Sequence, residues 1–252
     1  MLALSKLEFQ LLNTLIRLDE SLNTMHSTIL FNIQVSGGKD SMCLLHSFHA
    51  ALNFKKHPLK NRFIVVAQHF NHGMRNKESQ EDARFVETSC LKLGVPIYSQ
   101  KLVYPPKKKN FQNCARDIRK QEALKLCQRL ACELDCTKYF VVTAHHARDH
   151  VETVLMHILR GSGMNGLKGI QMFDDSRVFF RPFAETPYGD IEKNCQWRHI
   201  EFRQDSSNET DVYTRNYVRR HILPHFDHIN VKYEQAFLRL SSAGRQRFDL
   251  QS

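Results

Sequence analysis

The chain has no long apolar run. Its best, Thr28 to Gly38, carries the polar Asn32 and Gln34 and falls short of the ~20 residues a membrane-crossing helix needs. Lys6 and Glu8 interrupt the start, MLALSKLEF, where an export signal would place its apolar stretch. The expectation is a cytoplasmic protein with no membrane partner. There is no internal repeat and no low-complexity tract; the nearest is Lys107-Lys108-Lys109 after Pro105-Pro106, which reads as a solvated loop. Paired CxxC cysteines are missing, and the seven Cys are odd in number, so reduced thiols are expected in the absence of an export signal. Acids are the scarcer charge, 26 against 36 Lys and Arg, for a formal net charge of +10. Residues 176–252 use ten Arg and two Lys, a bias that suits phosphate recognition through planar bidentate donors. Charge alone leaves a nucleic-acid partner and a merely soluble basic protein on equal terms.

What is present is globular. Hydrophobic residues make up 42% and charged residues 25% of the 252 positions, which excludes disordered, collagen-like and coiled-coil chains. Short β-like runs alternate with longer helical stretches. Strands are expected at Ile29–Val35, Phe63–Gln68, Ile97–Val103 and Tyr139–Thr143. Helices are expected at Met42–Leu52, Ser79–Leu93, Cys114–Leu134 and Asp149–Arg160. This alternation predicts βαβ units and an α/β fold, a parallel sheet with helices on both faces. An amphipathic N-terminal helix (Leu4, Leu7, Leu11, Leu12, Leu15, Ile16) packs against it. Beyond Gly169 the rhythm changes. Short strands near Val178–Phe180 precede a helix from Pro187, an Arg-rich helix from Tyr213 to Leu223 stopped by Pro224, and a final helix, Val231–Phe248. The expected division is a main α/β domain over 1–183 and a small, mainly helical region over 184–252.

The first chemical motif is Ser36-Gly37-Gly38-Lys39-Asp40-Ser41, between a strand and a helix. Two glycines let the backbone approach a phosphate, and the helix start adds exposed N–H groups and a positive dipole end. Ser36 and Ser41 can donate hydroxyl hydrogen bonds, and Asp40 can hold a divalent metal against a polyphosphate. The glycine spacing fits neither the dinucleotide fingerprint nor the Walker loop. The motif resembles the PP-loop of the ATP pyrophosphatases, which split ATP into AMP and pyrophosphate to activate an oxygen atom.

Further blocks follow strand ends on the same sheet edge, where open α/β sheets bind ligands. They are His69-Phe70-Asn71-His72-Gly73-Met74-Arg75 with Ser79, Asp82 and Phe85-Val86; Thr143-Ala144-His145-His146 with Asp149, Glu152 and Thr153; and Arg160-Gly161-Ser162-Gly163. With Arg116, Arg119, Arg181-Pro182, Asp205-Ser206-Ser207-Asn208 and Tyr213-Thr214-Arg215-Asn216…Arg219, the joint pattern resembles the tRNA(Ile)-lysidine synthetase family from about Ile29 to Pro224. The resemblance implies an adenine-nucleotide α-hydrolase-like fold and a ligase. In that reaction the wobble cytidine of an isoleucine tRNA is adenylated with ATP and Mg²⁺, and the side-chain amine of L-lysine then displaces AMP. Many family members continue into further C-terminal domains, so the chain reads as a short form.

The residues suit that chemistry. Adenylation needs a pyrophosphate cradle, the Ser36–Ser41 loop with Mg²⁺ at Asp40, and cations near the α-phosphate, for which Arg116 and Lys39 are candidates. Asp149 and Glu152, three apart on a helix face, can point into one site, one fixing the lysine amine while the other accepts a proton. Arg160, Arg215 and Arg219 are candidate tRNA contacts. Duller roles exist for several: Asp149 as an N-cap with Glu152 as its capping-box partner, Arg160 as a helix C-terminal cation, and His145 and His146 as packing or adenosine contacts rather than metal ligands. Arg148 stands where relatives often carry an acid, within reach of Asp149; Lys120, His150 and Gln112 also depart from the family pattern. The competing functions are tRNA thiolation on the same scaffold, which usually needs paired cysteines, and a non-catalytic tRNA-binding relative. Cys132 and Cys136, four apart on an expected helix, read as packing.

Overall fold

The β1 strand, Thr28–Gln34, is buried along all but its end residues, as expected for a strand covered on both faces. Its odd positions Ile29, Phe31 and Ile33 join one apolar cluster, while Leu30 belongs to another on the opposite face. This computed structural model describes residues 3–22, 28–54, 62–71, 76–102, 111–204 and 214–249; the side chains of 76–79, 111–113 and 246–249 lie outside the description. Of the residues singled out above, His72–Arg75, Pro105–Lys109, Asp205–Asn208 and Tyr213 lie outside the described residues, as do the side chains of Ser79 and Gln112.

In chain order the elements are α1 (Lys6–Leu22), β1, α2 (Lys39–Leu52), β2 (Phe63–Asn71), α3 (Asn76–Leu93), β3 (Ile97–Lys101), α4 (Phe111–Glu133), β4 (Cys136–Val142) and α5 (Ala147–Leu159). A 3₁₀ turn at Met164–Lys168 leads to β5 (Phe179–Phe180) and α6 (Tyr188–Trp197). Then come α7 (Thr214–Tyr217), a π-helical turn (Val218–Ile222), α8 (Leu223–Ile229) and α9 (Tyr233–Asp249). The five strands form one sheet in the order β3-β2-β1-β4-β5, with every strand pairing parallel. The expected parallel α/β sheet is therefore present. Among the described residues no helix is long and apolar enough to cross a membrane.

One face of the sheet is covered by α1, α2, α3 and α6, which contribute Leu11, Leu15, Met42, Leu45, Phe48, Val86 and Ile191 to the main cluster. The α4 helix covers the other face with Ala123, Leu126, Cys127 and Leu130. Phe31, fully buried at the sheet centre, meets the rings of Phe48, Phe63, Phe140 and Phe180 at centroid distances of 5.1–6.3 Å. A separate cluster of Val151, Val218, Leu223 and Tyr233 fastens the π-helical turn, α8 and α9 to α5.

Three expectations need correction. Pro224 does not stop a helix: it lies in the first turn of α8, where an amide donor has no intrahelical partner to lose. Cys136 is not helical; Asp135 takes a positive φ of 50° that ends the α4 segment, and Cys136 opens β4. Nor is Asp149 an N-cap. The α5 helix begins at Ala147, with His146 as its N-cap, so Asp149 occupies the third helical position and accepts a hydrogen bond from the His146 amide at 3.0 Å.

Phe31→Ala removes a ring that four others touch. It should lower unfolding free energy by about 3–5 kcal/mol, read as an earlier urea midpoint with an unchanged slope.

Candidate active site

The sheet order places β2 on one side of β1 and β4 on the other, so chain connections diverge at the carboxyl ends of β1 and β4. Open parallel sheets bind ligands in the crevice at such a switch point. The Ser36–Ser41 loop leaves β1 there. Gly37 takes a φ of +92°, which favours glycine, and a Cβ on it would sit 3.3 Å from Val86 Cγ2. The hydroxyls brace the turn: the Ser36 amide donates to Ser41 Oγ at 3.1 Å, and Ser41 Oγ donates to the Gly38 carbonyl at 2.9 Å. No side chain caps α2 at Gly38, which leaves its first-turn amides facing the crevice for an anion.

The block after β4 meets this loop across the crevice. His146, almost fully buried, has Nε2 at 3.5 Å from Asp40 Oδ2 and 3.4 Å from Asp149 Oδ2. Asp149 and Glu152 do point to one place, and two arginines of the C-terminal helices fill it. Arg215 Nε donates to Glu152 Oε2 at 2.6 Å and its Nη2 to Asp149 Oδ1 at 2.9 Å. Arg219 Nε donates to Glu152 Oε1 at 2.6 Å, with Nη2 on Asp149 Oδ1 at 3.2 Å. The Glu152 side chain is completely buried beneath them. Its expected capping-box role is thus replaced by an ion pair. Arg219 lies in the π-helical turn, a rare backbone form that recurs at functional sites.

Electrostatics separate the neighbouring groups. Burial opposes ionisation of Asp149, yet His146, Arg215 and Arg219 hold its carboxyl well below the usual carboxylate range. Burial likewise opposes a charge on Arg219, and the Glu152 hydrogen bond and charge overcome it and raise its pKa. The two adjacent histidines move in opposite directions. Burial pushes His145 down to about 4, assisted by the charges of Arg215, Arg181 and Arg116. His146 is also disfavoured by burial, but Asp149 and Asp40 raise it above the ordinary value.

Other expected residues sit further out. Lys39 points away from the loop mouth, donating to Tyr188 Oη at 3.1 Å and Glu192 Oε1 at 2.9 Å. Arg116 is exposed near the start of α4, its charge felt by His145 and Arg181. Arg160 is exposed at the end of α5. Arg148 does not pair with Asp149; it reaches Glu234 at 3.2 Å and lies over the Tyr188 ring, 4.4 Å from its centroid. His150 receives the Ile170 amide at Nδ1, 3.1 Å away, and its Nε2 lies 2.7 Å from Ser241 Oγ. Lys120 stacks over the Phe179 ring.

Two contributors carry no local sequence signal. Tyr188 packs against the His146 ring at a centroid distance of 5.1 Å. Arg203 donates its amide to the Gly37 carbonyl at 2.9 Å and pairs its side chain with Glu81 and Asp82. Only the fold brings these distant segments to the loop.

The Asp40 environment fits a nucleotide-borne Mg²⁺. Its Oδ1 is buried without a hydrogen-bond partner, and Mg²⁺ commonly takes one or two carboxylates with phosphate oxygens and water. No group of three or more His, Cys, Asp or Glu able to cage a metal occurs among the described residues.

The PP-loop domain model matches residues 11–226. The tRNA(Ile)-lysidine synthase of Clostridium tetani is 33% identical over 218 residues, covering 82% of this chain and 44% of the relative. That of Bacillus licheniformis is 36% identical over 196 residues, covering 75% and 38% respectively. The chain therefore spans less than half the length of these two relatives. Among solved structures, a U34-tRNA thiolase from Methanococcus maripaludis superposes with a TM-score of 0.68 at 14% identity, covering 94% of this chain and 78% of that one, a likeness of fold.

The opposed histidine environments make a measurable split. His145, with a depressed pKa, should stay neutral on acidification from the ordinary 6.5 until about pH 4, while His146 should already gain its proton above 6.5. Ring-proton NMR titration of the wild type against His145→Gln and His146→Gln checks it; two superimposed curves near 6.5 would refute the split.

Proposed function

The chain belongs to the PP-loop domain family, and on that premise we propose that it ligates L-lysine to the wobble cytidine of the CAU-anticodon isoleucine tRNA, consuming ATP and releasing AMP and pyrophosphate. The observation that carries this reading is the chain of contacts from Asp40 through His146 to Asp149. It sets an anion-cradling loop and a carboxylate pair in one crevice, so two substrates of opposite charge can meet there.

In the first step the cytidine carbonyl oxygen attacks the ATP α-phosphorus and pyrophosphate leaves. The open amides of α2 and the Ser36 and Ser41 hydroxyls receive the phosphates. Asp40 would hold Mg²⁺, which neutralises polyphosphate charge. Arg116 is the exposed cation for charge developing on the phosphate; Lys39, engaged by Tyr188 and Glu192, acts by holding α6 to the loop. In the second step the lysine amine attacks the activated ring carbon and AMP leaves.

The guanidinium nitrogens now on Asp149 and Glu152 mark where an ammonium group would donate, 2.6–3.2 Å from the carboxylate oxygens. RNA phosphates compete with those carboxylates for Arg215 and Arg219. Arginines drawn to RNA leave a vacant acidic pair for lysine, one carboxylate orienting the amine and the other accepting its proton.

Incubation with ATP, Mg²⁺, radiolabelled lysine and unmodified isoleucine tRNA should place label in the RNA; no label with a properly folded chain counts against ligation. Asp40→Asn should lose pyrophosphate release while keeping the fold. Glu152→Gln should raise the lysine KM or slow transfer while lysine-independent AMP–tRNA still forms; loss of the adenylate with lysine binding intact would reassign the pair to ATP. Arg160→Ala should weaken binding evenly across tRNA sequences and reduce the salt slope by about 1.

A further inference from the structure

Away from the crevice, α2 and α6 bring Cys43 and Cys195 together: the Cys43 thiol reaches the Ile191 carbonyl, one helical turn before Cys195 on α6. Both are free cysteines. Cys43 is fully buried, with its thiol 3.8 Å from the Ile191 carbonyl, and Asn194 Nδ2 donates to its sulfur at 3.5 Å. The same Asn194 amide donates to Ser47 Oγ at 3.2 Å, so the side chains around Cys43 are fixed by α6. Cys195 differs in one respect: it lines a cavity of about 280 Å³ that also holds Lys39, Glu192 and His199. A small oxidant entering that cavity meets Cys195 and not Cys43.

We propose that Cys195 and Cys43 form a peroxide-oxidisable thiol pair, Cys195 being the sulfur that is attacked from the cavity and Cys43 the sulfur that resolves it. The Cys195 thiolate attacks one oxygen of a hydroperoxide, the O–O bond breaks, and hydroxide or alkoxide leaves, giving a sulfenic acid at Cys195. The Cys43 sulfur then attacks the Cys195 sulfur, an S–S bond forms, and the sulfenic hydroxyl departs as water with the Cys43 proton. Two thiols thereby lose two electrons to one hydroperoxide. The order follows from access: Cys195 lines the cavity, whereas Cys43 is fully buried. Oxidation would fasten α2, which starts at the phosphate loop, to α6, which holds Lys39.

The test uses the full chain treated with hydrogen peroxide, followed by peptide mass spectrometry without reductant. A Cys43–Cys195 cross-linked peptide that disappears with dithiothreitol is expected. Cys43→Ala should stop at the sulfenic acid, trapped on Cys195 by dimedone, and Cys195→Ala should lose both the cross-link and any adduct on Cys43. Oxidation of the exposed Cys132 with Cys43 and Cys195 still free in the wild type would overturn the proposal. So would a stable dimedone adduct at Cys195 without a disulfide in the wild type, a result that does not depend on how either variant folds.

Discussion

Four charges hold the candidate site together. Asp149 and Glu152 on α5 face Arg215 and Arg219, and the Glu152 carboxylate is wholly removed from solvent. Such a cluster adds little net stability over apolar packing, because desolvation offsets much of the attraction, and each member keeps an opposite charge when one other is removed. Its effect is therefore mainly on placement. The Val151, Val218, Leu223 and Tyr233 cluster brings the C-terminal helices against α5, and the ion pairs fix which face of the Arg-bearing segment turns inward. Arg148 makes a second tie at the other end: Glu234 accepts both its guanidinium and the Tyr188 amide, linking α9 to α5 and to the start of α6.

Strand and helix content was legible because parallel strands buried on both faces read as short continuous apolar runs, as in Ile29–Val35 and the YFVV segment of β4. The Ser36–Ser41 loop was legible as a strand-to-helix turn because its signal is local: glycine, hydroxyl and carboxylate occur within six consecutive residues. The boundary errors are physical. Asp149 looks like a cap because Asp commonly caps helices, yet the backbone turns helical two residues earlier and its carboxylate reaches back to the His146 amide. Pro224 looks like a stop, though a proline in a first turn loses no hydrogen bond.

What the sequence hid were pairings between segments far apart in the chain. Nothing in Lys39 announces Tyr188 and Glu192, and nothing in Arg215 distinguishes a phosphate contact from a carboxylate one. Both uses draw on the same planar donor fork. Arg148 shows the same limit: at a position next to Asp149 in sequence, the side chain leaves the crevice because an α-helix turns consecutive residues about 100° apart. Spacing predicts which residues share a face, and it does so for Asp149 and Glu152; it does not predict what the fold brings to that face.

The Lys39–Glu192 hydrogen bond spans 153 positions, and β1 must pair with β4 about a hundred residues later before its second edge is closed. Such long-range pairings slow folding, because distant segments must meet before either gains from the contact. During synthesis, therefore, β1 and β2 can associate early, but β1 keeps an open apolar edge until the second half of the chain has left the ribosome. The Ser36–Ser41 loop gains its supports from Tyr188, Glu192 and Arg203 later still. A chain interrupted in that interval would carry an unpaired parallel edge and an unsupported Ser36–Ser41 loop, the kind of surface that invites aggregation and chaperone capture.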